Sequence, residues 1–246
     1  MGNKDILRKW TYKNSIDLYG IQYWGNRYFN ISEQGEVTVK LHNKQKHQDV
    51  SIYKIISGLM ERGFSLPILL RFSDILNDRL THIYSCFQNA IRNGNYNNVY
   101  KGVYPIKVNQ QEEVIKEVAN AGREFHHGFE VGSKAELVAA LSYLKDTEAF
   151  IICNGYKDKD FIDLALYSNK LGMQTILVIE RPNELDLIIN RSAILGITPQ
   201  IGFRVKLSSK GNGHWADSAG DKSVFGLTTI QIIKAIDLLK ERNMLE

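Results

Sequence analysis

The sequence has few of the features that mark several protein classes. Its 246 residues include only two cysteines, Cys86 and Cys153, too few for a disulfide framework, which favours a reducing cytoplasm. No apolar run reaches the roughly 18 residues that a membrane span needs. Residues 1–9 carry charges and lack the apolar core of a secretory signal. We therefore expect a cytoplasmic protein with no membrane partner.

The sequence also lacks a large surplus of positive or negative charge. Lys and Arg number 31 against 27 Asp and Glu, a net charge of +4. The densest basic stretch, His42–His47, contains Lys44 and Lys46. A solvated loop is the favoured interpretation of this stretch over a phosphate-binding patch. We therefore expect no nucleic-acid partner.

The composition and length are those of an ordinary globular protein. Apolar residues make up 43% of the chain and charged residues 24%, which disfavours disorder and low complexity. At about 150 residues per domain, the length suits one large domain or two small ones.

Residues 1–66 differ in pattern from the rest of the chain. Aromatic residues are concentrated between Ile16 and Ile31. An alternating strand pattern from Glu36 to Leu41 follows the turn pair Gln34-Gly35, and a helical pattern runs from about Val50 to Arg62. These patterns predict an N-terminal α+β segment, rich in aromatic residues, as a first domain.

Residues 67–246 alternate between apolar strands and helices. Six segments are predicted strands: Ile68–Phe72, Tyr100–Ile106, Gly128–Val131, Ala149–Cys153, Thr175–Ile179 and Gln200–Leu207. Helical patterns cover about 73–93, 110–122, 133–145, 158–171, 183–195 and 228–243. Four of these helices open with a capping residue, namely Ser73, Ser133, Asp158 and Thr228.

Apolar strands that alternate with helices indicate an α/β fold with a parallel sheet covered on both faces. Two architectures fit, a (β/α)8 TIM-type barrel and a doubly wound open sheet. No Gly-x-Gly-x-x-Gly turn follows the first strand, which counts against the dinucleotide-binding form of the open sheet.

Lys107 is the most informative polar residue. It stands in the segment Tyr104–Gln110 at the carboxyl end of a predicted strand, which is the catalytic face of a βα barrel. Between Ile106 and Val108 its amine would be partly desolvated, and this favours the neutral form that attacks a carbonyl group. From spacing alone, a lysine whose amine simply reaches solvent is the more common case.

Other predicted strand ends are polar as well. The polar segments are Glu130–Leu137, Cys153–Asp158, Arg204 with Lys206, Ser208–Trp215 and Lys222–Leu227. Each segment alone is weak evidence. Their repeated occurrence at one edge of an apolar sheet indicates a site there.

Four of these blocks together resemble the biosynthetic arginine decarboxylases. Those are pyridoxal phosphate (PLP) enzymes of the alanine-racemase-like barrel class. The blocks are Tyr104–Gln110, Glu130–Leu137, Ile152–Asp158 and Arg204–Leu227. Tyr23–Asn26 is similar to the family's N-terminal segment, so the likeness runs from about Tyr19 to the last residue.

The resemblance implies a (β/α)8 barrel, incomplete here with about six βα units. It implies L-arginine as substrate, and PLP as a cofactor joined to Lys107 in a Schiff base. The product would be agmatine, a precursor of putrescine and spermidine. Glu130 is expected to lie near Lys107 and tune its charge, and Arg204 to bind the cofactor. A homo-oligomer is implied for the full-length form. Magnesium is implied by the resemblance only, because no metal-ligand cluster is visible in the sequence.

Several blocks of the family are missing from this sequence. They are a strand with a histidine that stacks on the PLP ring, a Gly-rich phosphate turn, an acid for the pyridine nitrogen and a C-terminal β-domain. His126, His127 and His214 lie elsewhere, and Val224 stands where the family more often has a basic residue. Barrel closure also needs eight strands. We therefore expect little or no decarboxylase activity from this polypeptide alone.

Two other functions stay open at this stage. One is a PLP-binding protein without a reaction, and the other is a fragment that pairs with full-length subunits. Decarboxylases of lysine, ornithine or carboxynorspermidine are the alternative substrate classes, because no residue that would recognise the guanidinium is identifiable.

Overall fold

The computed structural model describes residues 9–43, 46–206, 223 and 225–245. The chain divides into two compact units, Met1–Ile83 and Tyr84–Glu246. This division falls later than residue 66, where the sequence predicts the domain boundary, and that boundary stays a prediction.

The first unit contains a three-stranded antiparallel sheet between short helices. Its elements are α1 (Tyr12–Leu18), α2 (Ile21–Trp24), β1 (Phe29–Ile31), β2 (Val37–Asn43), β3 (Lys46–Ser51) and α3 (Ile52–Glu61). The turn between β1 and β2 closes at Gly35, whose φ of +81° favours glycine. The predicted hairpin and the helix after it are thus confirmed.

Two predictions for the first unit are wrong. The basic stretch at residues 42–47 does not form a simple loop, because β2 and β3 extend into it, with 44 and 45 outside the described residues. Ile68–Phe72 has no regular secondary structure. Its exposure alternates as in a strand, but a strand also needs a hydrogen-bonded neighbour, and none of the strands found in the described ranges pairs with it.

The second unit is a succession of parallel strands and helices. The long helix α4 (Ser73–Asn93) leads into it across the division between the units. Its elements are β4 (Val103–Pro105), α5 (Glu112–Gly122), β5 (Gly128–Val131), α6 (Lys134–Tyr143), β6 (Phe150–Cys153), α7 (Lys159–Lys170), β7 (Gln174–Ile179), α8 (Pro182–Leu195), β8 (Gln200–Phe203) and α9 (Thr229–Glu241).

The strand order distinguishes between the two expected architectures. The five parallel strands pair in the sequential order β4-β5-β6-β7-β8. A doubly wound sheet reverses its order at a switch point, whereas a βα barrel adds each strand beside the previous one. The fold is therefore α/β and part of a TIM-type barrel, with five strands in the described residues where the sequence predicts six.

The two faces of this sheet differ in burial. Phe129, Ile151, Cys153 and Leu177 are fully buried and stand in register on one face. That face packs on helical side chains that are also fully buried: Leu137, Phe161, Ile162, Leu166 and Ile188. The opposite face, which corresponds to a barrel interior, carries half-exposed apolar side chains and Glu130.

The predicted helix N-caps are confirmed at three positions. The side chains of Ser133, Asp158 and Thr228 each accept a hydrogen bond from a backbone N–H in the first turn of α6, α7 and α9. Ser73 is instead the first residue of α4. Across the described part of the chain, no helix is both long and apolar enough for a membrane crossing.

Candidate functional site

Lys107 lies two residues beyond the end of β4. The strand is shorter than predicted, and Lys107 lies in a single 3-10 turn, Ile106–Val108. Its side chain is 67% exposed. The expectation that its neighbours desolvate the amine is wrong, because Ile106 points into the core whereas Val108 is 69% exposed. The amine is therefore open to a ligand at the carboxyl end of the strand.

Glu130 lies next to Lys107, as the sequence predicts. It is on β5, in register with Pro105 of β4, and its Oε2 is 3.9 Å from Nζ of Lys107. The Glu130 side chain is only 10% exposed. Asn154, in the turn after β6, donates a hydrogen bond of 2.9 Å to the other carboxylate oxygen. A buried, oriented carboxylate thus faces an accessible amine.

Arg204 lies just beyond β8 and pairs with a different acid. Its guanidinium is 2.5 Å from the carboxylate of Glu180. Glu180 is the first residue after β7, and its side chain is 3% exposed. The guanidinium also lies over the ring of Phe225, 5.7 Å from its centroid. Arg204 therefore stands at the same sheet edge as Lys107 and Glu130, held by its own partners.

A buried ion pair supports this edge. Nζ of Lys157, fully buried, donates to the carbonyl of Gly155 at 2.7 Å and lies 3.4 Å from Glu184 Oε2. Burial lowers the pKa of Lys157, and the nearby charge of Glu184 opposes that effect. The same Glu184 oxygen accepts from the backbone N–H groups of Glu180 and Arg181, at 2.8 and 3.3 Å.

The sequence did not identify Asn154, Glu180 or Glu184 as members of the site. Asn154 lies in the polar segment Cys153–Asp158, within which the sequence pattern assigns it no role of its own. The only available signal for the two acids was their position around the Arg181-Pro182 turn that follows an apolar strand.

Several predicted polar residues lie elsewhere or cannot be placed. Ser208–Trp215, with His214, and also Lys222 and Val224 lie outside the described residues. His127 contacts Tyr84 in the core, at the amino end of β5. His126 pairs with Asp146 and Glu148.

Metal binding has no visible centre in the described ranges. Within them, no group of three or more His, Cys, Asp or Glu side chains could hold a metal ion. Magnesium therefore stays an expectation from resemblance.

Comparison with known proteins agrees with this geometry. The model of the family "Pyridoxal-dependent decarboxylase, pyridoxal binding domain" matches residues 81–246. The biosynthetic arginine decarboxylase of Gloeobacter violaceus is 44% identical over 239 residues, covering 97% of this chain and 37% of that protein. The one from Prochlorococcus marinus (strain SARG) is 45% identical over 237 residues, covering 96% and 36%.

Solved structures give the same picture. The biosynthetic arginine decarboxylase of Campylobacter jejuni superimposes with a TM-score of 0.79 at 34% identity, over 92% of this chain and 36% of that one. A diaminopimelate decarboxylase of M. jannaschii has a TM-score of 0.63 at 20% identity, over 89% and 45%, and shares the fold. The chain spans little more than a third of the curated relatives' length. Because the family model covers about two thirds of this sequence, the chain belongs to the pyridoxal-dependent decarboxylases, and residues 81–246 carry the pyridoxal-binding domain.

Proposed function

We propose that the full-length protein containing this chain decarboxylates L-arginine to agmatine and CO2, with PLP held by Lys107. The observation that carries this proposal is the accessible Lys107 amine at a barrel strand end, 3.9 Å from the buried Glu130 carboxylate. The substrate follows from two relatives, 44% and 45% identical, that are biosynthetic arginine decarboxylases. Agmatine would then feed putrescine and spermidine synthesis.

The residues present fit this cofactor. An aldehyde binds covalently to a primary amine that it can reach, and the Lys107 side chain is 67% exposed. When bound, PLP supplies an electron sink for the bond that breaks as CO2 leaves. Arg204 provides a cation at the same sheet edge, with its side chain half exposed. We assign Arg204 to binding an anionic group of the cofactor.

Glu130 and Lys107 have separate tasks in this scheme. The Glu130 carboxylate stabilises positive charge on the nitrogen that Lys107 presents, because it lies close and is shielded from water. When not joined to the cofactor, Nζ of Lys107 would be able to take up or give a proton. A Glu130→Gln variant should therefore bind the cofactor less tightly.

Cofactor attachment is tested on the chain itself. The chain is incubated with PLP, reduced with borohydride and digested, and the labelled peptide is identified by mass spectrometry. We expect the label on Lys107 and its loss in Lys107→Ala. Lys116→Ala, which removes an exposed lysine of α5, should leave the label unchanged. Equal labelling of the Lys107→Ala chain would refute the assignment.

The reaction is tested on a fusion. This chain replaces the matching N-terminal part of the Gloeobacter violaceus relative, and CO2 release is measured from arginine, lysine, ornithine and carboxynorspermidine. We expect arginine to be preferred and Lys107→Ala to abolish release. Preference for lysine, ornithine or carboxynorspermidine would refute the proposed substrate. PLP attachment without any CO2 release would favour a cofactor-binding protein without a reaction.

We also propose that the full-length protein is a cytoplasmic homo-oligomer. Cys86 and Cys153 do not form a disulfide, and Cys153 is buried, which suits a reducing compartment. Light scattering of the fusion would check its assembly.

A further inference from the structure

The two oxygens of the Glu130 carboxylate have different partners. Oε1 accepts a hydrogen bond from Nδ2 of Asn154 at 2.9 Å. Oε2 is the oxygen near Lys107, 3.9 Å from Nζ. With 10% of the side chain exposed, little water is available to satisfy Oε1. The Asn154 amide is therefore the donor that determines which way the carboxylate faces.

The backbone holds Asn154 firmly against β5. Its N–H donates to the carbonyl of Val131 at 2.8 Å. Gly155 follows with a φ of +75°, so close to Gly132 that an added Cβ would lie 2.5 Å from the Gly132 carbonyl oxygen. A side chain at position 155 would push this turn away. The turn after β6 therefore rests directly on the turn after β5, which begins just beyond Glu130.

A second support comes from the buried lysine. Nζ of Lys157 donates to the Gly155 carbonyl at 2.7 Å and pairs with Glu184. The position of the Asn154 amide is thus built into the fold before any ligand arrives.

We propose that Asn154 is a positioning residue that acts on Lys107 through Glu130. Its amide holds Oε1 and leaves Oε2 facing the Lys107 nitrogen. This inference rests on the proposed attachment of PLP to Lys107. An aspartate at 154 would offer only acceptor oxygens and a like charge beside Glu130, and an alanine would leave Oε1 without its donor.

The test uses the 246-residue chain. Its affinity for PLP is measured by absorbance titration, and the pH dependence of binding by borohydride labelling at Lys107. Hydrogen bonds to charged groups correspond to about a tenfold effect or more, so Asn154→Ala and Asn154→Asp should each bind PLP at least tenfold more weakly. The pH profile of labelling should shift in both variants, a change that a merely structural role would not produce. Asn97→Asp makes the same chemical change at an exposed position before β4 and should behave as wild type.

A double-mutant comparison shows whether Asn154 acts through Glu130. In the Glu130→Gln background, Asn154→Ala should change affinity less than twofold, because there is no carboxylate left to orient. An equal loss in both backgrounds would overturn the inference. So would wild-type affinity and pH profile in both single variants. Thermal melting identifies a variant that fails to fold, and two different substitutions at 154 keep the test decisive.

The two proposals fail in different ways. If the wild-type chain does not take PLP at Lys107, the proposed attachment is refuted and this inference falls with it. If the wild-type chain is labelled and the Asn154 variants are labelled equally well, only the role of Asn154 is refuted.

Discussion

Two lysines beyond the carboxyl ends of β4 and β6, the strands on either side of β5, show how position determines what an amine can do. Lys107 is 67% exposed along its side chain, and Lys157 is not exposed at all. Burial lowers the pKa of Lys157, yet its amine is enclosed by Gly155 and Glu184. Access therefore favours Lys107 over Lys157 for cofactor attachment.

At the same scale, His127 should make stability depend on pH. Its Nδ1 lies 2.9 Å from the hydroxyl of Tyr84. That hydroxyl accepts a hydrogen bond from the Gly102 N–H, so its own proton can be donated to a neutral imidazole. Burial lowers the pKa of His127 from 6.5 to about 4. The unfolded chain therefore binds more protons between these two values, and stability rises with pH.

We expect the chain to lose about 2 kcal/mol of unfolding free energy between pH 7 and pH 4.5 from this residue alone. Urea unfolding at a series of pH values measures it. His127→Gln should flatten the dependence between pH 4 and 6.5, whereas His82→Gln, at an exposed position, should keep it. An unchanged slope in His127→Gln would contradict the prediction.

At the scale of the element, the turns after β6 and β7 are joined by one buried carboxylate. Glu184, in the first turn of α8, accepts from the backbone of Lys157, Glu180 and Arg181 and pairs with the Lys157 amine. Glu180 in turn binds Arg204. The helix start thus fixes two strand-end turns at once.

Breaking this pair should be costly. Lys157→Met leaves the Glu184 carboxylate buried without its counter-charge, and we expect a loss of about 3 to 5 kcal/mol in unfolding free energy. The double variant Lys157→Met/Glu184→Gln removes both charges and should recover part of that loss. Chemical denaturation measures both.

A matched control comes from an exposed pair. Lys134→Met breaks the ion pair with Asp158, in which both side chains are nearly half exposed, and should have a much smaller effect. If Lys157→Met were no more destabilising than Lys134→Met, the buried pair would have no special role.

Elements defined by local rules were predictable from the sequence. Ser133 and Asp158 begin their helices as predicted because capping needs only a side-chain oxygen and the next backbone N–H groups. Ile68–Phe72 was predicted wrongly because a strand also depends on a distant partner. The proximity of Lys107 and Glu130 was predictable because the carboxyl ends of parallel strands meet at one edge of the sheet. Asn154 was missed as a partner because its contact depends on how the Gly155 turn packs.

At the scale of the whole molecule, the five parallel strands described in the second unit form one sheet with two outer strands. β4 and β8 each pair with one neighbour in the sheet, and the chain spans little more than a third of its curated relatives. Lys107, Glu130 and Arg204 all lie at one edge of this sheet. The resemblance places the stacking histidine, the phosphate turn and the acid for the pyridine nitrogen in sequence blocks that these 246 residues do not contain.

Cofactor attachment and turnover should be separable in this polypeptide. We expect the 246-residue polypeptide to be labelled by PLP at Lys107 but to form little or no agmatine, because a cofactor without an acid at its pyridine nitrogen is a poor electron sink. Agmatine is measured by mass spectrometry after incubation with PLP and L-arginine, with Lys107→Ala as the blank. The fusion to the remainder of the Gloeobacter violaceus relative serves as the positive control. Agmatine formation by the polypeptide alone, clearly above the Lys107→Ala blank, would mean that these 246 residues suffice for the reaction.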